Sequence, residues 1–352
     1  MPRIDRRQFV SAALIGTVLG ATGARGAAAA PRYRVTDLGD LGGPTISVHA
    51  LNNHGVATGM ATRHGEDNRG VAFVAAHGRM RGLPFVGPGQ PSFGMAINNL
   101  GLVAGFDRGM IFPQTPTRAW TAGRDGERFY IAPLGGVEGD TAAFGINDAG
   151  TVVGRSNTQP FIHAAGQTRA IALPGGYDEG EANAINQAGD VVGGLSGNAG
   201  WHAFAHFDGV TQAFTIAGAV LHKATGVNRC RQVCGTLRSS ERGPGRAFLW
   251  QDGVAHELGS LGDETMPSQA LGLNDAGVVV GGAARLLDGK RRQRAFIAAE
   301  GTMSDLNDFV DPADAAVWTL NLATAINQRG QIVGQGRLDG VERAFLATPV
   351  DA

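Results

Sequence analysis

Ala96-Ile97-Asn98-Asn99-Leu100-Gly101-Leu102-Val103-Ala104-Gly105 is the stretch that decides how this chain folds. Asn98 opens a tight turn, because its side chain can accept a hydrogen bond from the backbone two residues on. Gly101, three residues later, supplies the left-handed conformation that a β-carbon disfavours. Together they form a type I turn closed by a glycine bulge, the common three-residue hairpin connection. The aliphatic residues on both sides are strand formers. The stretch therefore reads as a β-hairpin.

The same pattern recurs around Asn52, Asn147, Asn186, Asn228, Asn274 and Asn327, at spacings between 39 and 53 residues. Each copy continues into a basic residue or His, then Ala, then an aromatic. Arg118-Ala119-Trp120, His202-Ala203-Phe204, Arg246-Ala247-Phe248, Arg294-Ala295-Phe296 and Arg343-Ala344-Phe345 carry it, with Val71-Ala72-Phe73 and Gln159-Pro160-Phe161 as degenerate versions. Several copies then end in Leu-Gly or Leu-Pro. A hairpin, an aromatic strand and a Leu-Gly strand make four short strands per repeat, the size of a propeller blade.

Small residues precede each keyed Asn. Two positions before it stand Ala50, Ala96, Gly145, Ala184, Gly226, Gly272 and Ala325, and four before it Val48, Gly94, Ala143, Ala182, Ala224, Ala270 and Ala323. A strand period of two puts both sets on one face, and innermost strands converging on an axis would need that face trimmed. The expected fold is all-β: a seven-bladed β-propeller of four-stranded antiparallel blades over residues 31–352. Tyr33–Gly39 resembles a fourth strand without a blade, and the chain stops after Arg343-Ala344-Phe345-Leu346 without one. The N-terminal strand is expected to complete the last blade and hide the edges of the ring.

These motifs resemble the HAF repeat family of bacterial extracellular proteins, of which His202-Ala203-Phe204 is a literal instance. The resemblance covers roughly residues 33–348 and implies a propeller-like architecture and an extracellular compartment. It brings no catalytic residues with it, and a fold does not fix a function.

Residues 1–30 belong to another class. Arg6-Arg7-Gln8-Phe9-Val10 precedes an uncharged apolar stretch from Val10 to Ala24, followed by the small-residue run Gly26 to Ala30, a pattern that reads as a secretory signal peptide of the twin-arginine type. The apolar stretch is short for a membrane span. The mature protein is expected to be periplasmic or extracellular, off the membrane after cleavage, and monomeric. Of the full chain's residues 17% are charged and its formal net charge is −1, without a basic stripe, so nucleic-acid binding is not expected.

No Gly-x-Ser-x-Gly, Walker loop or His-Glu-x-x-His is present. Catalytic residues are therefore unassigned, and neither a cofactor nor a metal site is expected. The only cysteines, Cys230 and Cys234, sit in the repeat where Arg231 replaces the turn glycine. A disulfide between them and a pair of free thiols are both compatible with an oxidising compartment, since spacing does not set geometry. The recurrent Arg before Ala-Phe is expected to pack its stem on apolar surface and bond its head to a carboxylate or carbonyl.

Loops leading into the innermost strands would converge on one mouth of the channel and contribute Ser92, Thr141, Glu181, His222, Lys223, Ser268, Gln269 and Asn321. This polar set reads either as a binding rim or as an ordinary wet edge. The functional expectation is an exported binding or interaction module with a glycan or protein of the cell envelope as ligand. The alternative is an extracellular polysaccharide-active hydrolase or lyase with its site at the same mouth.

Overall fold

Each keyed asparagine closes its hairpin as its sequence requires. Asn98 N–H donates to Leu102 O, and Gly101 N–H returns to Asn98 O, both at 3.0 Å. Gly101 has φ +82, so the left-handed requirement is real. Asn98 Oδ1 accepts from Leu100 N–H and Leu102 N–H at 3.1 and 2.9 Å. At Arg231 a side chain tolerates φ +60, and its guanidinium is held by Asp190 and Asp208 of the preceding repeat.

The computed structural model describes residues 32–65, 69–84, 90–109, 116–136 and 139–350. The expected leader, residues 1–30, lies outside them. The described residues are all-β apart from three short helical segments. Their strands form six antiparallel-rich sheets, five of four strands and one of eight. The eight-stranded sheet consists of two antiparallel sets of four strands joined by a single parallel pair, Trp201 beside Leu221. Arg32–Asp37 pairs antiparallel with Val341–Val350 as an outer strand, Arg32 opposite Val350 and Asp37 opposite Phe345.

The aromatic of each repeat explains the last glycine of the hairpin motif. Phe73, Trp120, Phe161, Phe204, Phe248, Phe296 and Phe345 are fully buried. Each stands directly across the strand pair from a glycine, in turn Gly59, Gly105, Gly154, Gly193, Gly235, Gly281 and Gly334. A β-carbon on any of these glycines would run into a carbonyl oxygen of the innermost strand. The bare glycine leaves room for the ring, and the ring covers the backbone that glycine exposes.

The small residues before each Asn do not share a face. In all seven repeats the register shifts between the two positions, for example between Ala143 and Gly145. A bulge of one residue reverses strand parity, so one position faces the preceding repeat and the other the following one. The core reflects this: Ala96, Ala104 and Ala119 of one repeat pack in a cluster with Ala143, Val152 and Phe161 of the next. The trimming serves lateral packing between sheets rather than the open side of the innermost strands.

The basic residues before Ala-Phe behave as their chemistry suggests. Arg246 bonds Glu264 at 2.7 Å, Arg294 bonds Asp305 at 3.0 Å and Arg343 bonds Asp40 at 3.0 Å.

Candidate functional site

The asparagine turns lie at one end of the innermost strands, and the predicted rim residues lie at the other, five or six residues upstream. Six residues upstream stand Ser92, Thr141, His222 and Ser268, all between 0 and 4% exposed. Each accepts a hydrogen bond from the alanine N–H of the preceding repeat's Ala-aromatic strand. The distances are 2.8 Å from Ala72 to Ser92, 2.9 Å from Ala119 to Thr141, 2.8 Å from Ala203 to His222 and 3.0 Å from Ala247 to Ser268. Gly180 occupies the corresponding place after Pro160, the one residue that has no N–H to satisfy. These four polar side chains therefore have a structural occupation between the sheets.

One residue further on, the strand parity turns the side chains to the other face. Lys223 is exposed, and its ammonium meets the Glu181 carboxylate of the preceding repeat. Gln269 is exposed at the same level. Asn321 lies in a second bulge, between Leu320 and Leu322, which carries it out of the ladder. Asn321 lines two neighbouring cavities of about 530 and about 300 Å³ that also share Gln293. The site expected from sequence thus divides: Glu181 and Lys223 touch, Gln269 and Asn321 are accessible, and Ser92, Thr141, His222 and Ser268 are buried. Gln293, Gln335 and Arg337 line the same cavities and had no motif to mark them.

His222 joins a small cluster. Tyr177 Oη and His202 Nδ1 share a hydrogen bond of 2.6 Å, and the His202 and His222 rings are 4.8 Å apart. Because His222 Nδ1 accepts a backbone N–H, its proton sits on Nε2. Burial, and secondarily the nearby His202, push its pKa down to about 4. The imidazole is neutral near pH 7.

Cys230 and Cys234 are both free, the first exposed and the second fully buried. The disulfide left open by the sequence is not formed; Cys234 Sγ instead lies 3.6 Å from Thr225 Oγ1. Burial raises the Cys234 thiol to about 11, so it is protonated and unreactive near neutrality. Among the described residues, no cluster of His, Cys, Asp and Glu has the geometry to hold a metal ion. No helix among them is long and apolar enough to cross a membrane.

The solved structures that this fold resembles are β-propellers. One is a puromycin-hydrolysing peptidase of Mycobacterium tuberculosis, at 14% identity and a TM-score of 0.50, over 88% of this chain and 53% of that one. Two others are TolB from Acinetobacter baumannii, at 14% identity, TM-score 0.43 and 70% against 64% coverage, and the gluconolactonase XC5397 from Xanthomonas campestris, at 12% identity, TM-score 0.35 and 71% against 90% coverage. This chain spans about half the length of the peptidase and under two thirds of TolB. At such identities the likeness speaks to fold alone. No protein-family model matches the chain, and no curated protein matches it.

Proposed function

We propose that this protein is an exported, closed seven-bladed β-propeller of the HAF repeat type that binds a ligand of the cell envelope, a glycan or a protein, at one mouth of its central channel. Seven Asn-turn repeats support the blade count. The pairing of Arg32–Asp37 with Val341–Val350 supports closure. The twin-arginine-type leader supports export, and the family resemblance rests on the Ala-aromatic motifs.

The observation that carries the binding reading is the placement of polar groups that no backbone donor occupies. Buried side chains at this end are occupied by backbone donors. By contrast Glu181, Lys223, Gln269 and Asn321 face solvent, and Asn321 opens onto cavities large enough for a small ligand. Glu181→Ala with Lys223→Ala is expected to weaken binding on a glycan array while leaving the unfolding free energy within about 1 kcal/mol of wild type. Unchanged binding would exclude that pair from the ligand site. His222 is left out of the variant, since its loss would strand the buried Ala203 amide.

A second reading, hydrolysis or elimination on a polysaccharide, draws on the Tyr177–His202 hydrogen bond, a phenol–imidazole pair suited to proton transfer. Release of reducing ends by wild type, lost in Tyr177→Phe, would favour it. Binding without product would favour the module.

A further inference from the structure

The hairpin of Val279–Leu287 and Lys290–Ala299 is the longest second-to-third strand pair among the described residues, with strands of 9 and 10 residues. Corresponding strands elsewhere, such as Val152–Ser156 and Gln159–Ala164, have 5 and 6. The extension carries Lys290-Arg291-Arg292-Gln293-Arg294. Its outer part stands over the last repeat and walls the cavity of about 530 Å³, which Arg291, Arg292, Gln293, Thr319, Asn321 and Arg337 help to line.

The charges in this cavity are not equally committed. Arg294 is tied down: its Nε donates to Asp305 Oδ2 at 3.0 Å, and Arg285 Nη1 reaches the same oxygen at 2.9 Å. Burial works against the Asp305 anion, yet the hydrogen bonds from Asn307 and Arg294 hold its carboxyl below the usual range. This buried anchor fixes the base of the hairpin. Arg337 has an exposed partner in Glu342 at 3.4 Å, a contact of little strength. Arg291 and Arg292 are exposed and have no ion-pair partner among the described residues. Arg292 stands directly across the ladder from Arg285, and Arg291 from Leu286. Arg285 is already committed to Asp305, so the charge of Arg292 beside it is not compensated within the ladder. Asp288 is the one carboxylate among the lining residues.

We propose that this groove binds an anionic glycan, with Arg291, which shares a strand face with Gln293, as the principal contact to its carboxylate or sulfate groups and Arg292 at its edge; the proposal rests on the binding-module reading above and names its ligand class. Guanidinium forks match planar or tetrahedral oxyanions by paired hydrogen bonds. Between them and the neighbouring cavity of about 300 Å³ lie the neutral amides Gln293, Asn321 and Gln335, which suit hydroxyls along a chain that spaces its anions apart. The two cavities meet at Gln293 and Asn321, so the surface is elongated. Neither is lined by an aromatic ring. Single-stranded nucleic acid, which depends on aromatic platforms for its bases, is a poor match for the same charges.

The test uses protein purified from a host that exports it, titrated with polygalacturonate, dextran sulfate, neutral dextran and polyglutamate. Wild type is expected to bind one or both anionic glycans, more weakly as salt rises, and to ignore dextran. Arg291→Ala with Arg292→Ala should weaken that binding at least tenfold. Arg291→Lys with Arg292→Lys should recover part of it, and Arg329→Ala, at the turn end of the molecule, should change nothing. Preference for polygalacturonate marks carboxylate as the recognised group, and preference for dextran sulfate marks sulfate. Anionic-glycan binding unaffected by the alanine pair, binding of neutral dextran to the same extent, or tighter capture of polyglutamate would each overturn the proposal. The Glu181→Ala, Lys223→Ala variant separates the two readings. If it alone loses glycan binding, the mouth stands and the arginine groove falls; if only the arginine pair matters, the reverse holds.

Discussion

A keyed asparagine does two jobs with one amide. In Asn98 the oxygen closes the turn, while Nδ2 donates across to Asn147 O of the next repeat at 3.0 Å. Asn52, Asn147, Asn186, Asn228, Asn274 and Asn327 make the equivalent donation, and Asn327 donates to Asn52 O at 3.0 Å, where the series began. All seven side chains are between 3 and 7% exposed. The turn role was legible in the sequence, because Asn-x-x-Gly needs only the oxygen. The second role was not, because no local pattern reveals where Nδ2 points. Asn98→Asp keeps the turn acceptor but sets an anion against a carbonyl. Urea unfolding should show a loss of roughly 3 kcal/mol or more near neutral pH, since a buried polar group without its partner costs about 1–3 kcal/mol and a charged one more. A loss under about 1 kcal/mol would mean that the belt contributes little.

His222 gives the residue scale a pH signature. Its folded pKa is about 4, below the ordinary value near 6.5 for an unfolded imidazole. The folded state therefore binds fewer protons than the unfolded state between these values. The stability linked to this residue is fully present above about pH 6.5 and is lost as pH falls toward about 4. The total loss is on the order of 3 kcal/mol. Serine, which holds the same place in two other repeats, keeps an acceptor for Ala203 N–H and removes the titration. His222→Ser should flatten the unfolding midpoint across this window; an unaltered acid dependence would count against the assignment.

At the scale of the strand, the bulge before each asparagine separates what was legible from what was not. Turn chemistry and aliphatic flanks fixed the hairpins, and the recurring aromatic fixed the third strand. Bulges carry no sequence signal as strong as a turn, and a shift of one residue exchanges the faces of a strand. That shift is why Ser92, Thr141, His222 and Ser268 face the preceding sheet and bond alanine amides, whereas Glu181, Lys223 and Gln269, one residue on, remain available. The two kinds of glycine in the motif also separate here. Gly101 has a positive φ with only the Arg124 side chain near its would-be β-carbon, whereas Gly105 faces Phe93 O and the Trp120 ring. Gly101→Ala should cost about 1–2 kcal/mol in conformational strain. Gly105→Ala should cost more than about 3 kcal/mol, because backbone and a buried indole cannot give way. Equal costs, read from unfolding midpoints, would refute the steric role of the second glycine.

At the scale of the whole molecule, two belts of hydrogen bonds link successive repeats. Outside the asparagine belt, Asn53 N–H donates to Asn99 Oδ1, Asn99 N–H to Asp148 Oδ1 and Asp148 N–H to Gln187 Oε1, at 2.8–2.9 Å. Arg229 N–H, Asp275 N–H and Gln328 N–H donate in the same way to Asp275, Gln328 and Asn53. The step from Gln187 to Arg229 is missing from this outer belt, because a guanidinium offers no acceptor. The same repeat has Arg231 in place of the turn glycine, so its departures from the motif were visible in the sequence while their consequence for a neighbouring repeat was not.

If residues 32–37 bring the last repeat round to the first, as proposed, a disulfide across their pairing with residues 341–350 will hold the ring shut. Arg34 stands opposite Thr348 in the strand pair, at a separation that a disulfide can span. In a Cys230→Ser background, which removes the exposed native thiol, Arg34→Cys with Thr348→Cys should oxidise readily. The bond should raise the unfolding free energy by up to about 5 kcal/mol, as expected for closing a loop of this length. A reduced pair under oxidising conditions, or a crosslink that leaves stability unchanged, would contradict the ring.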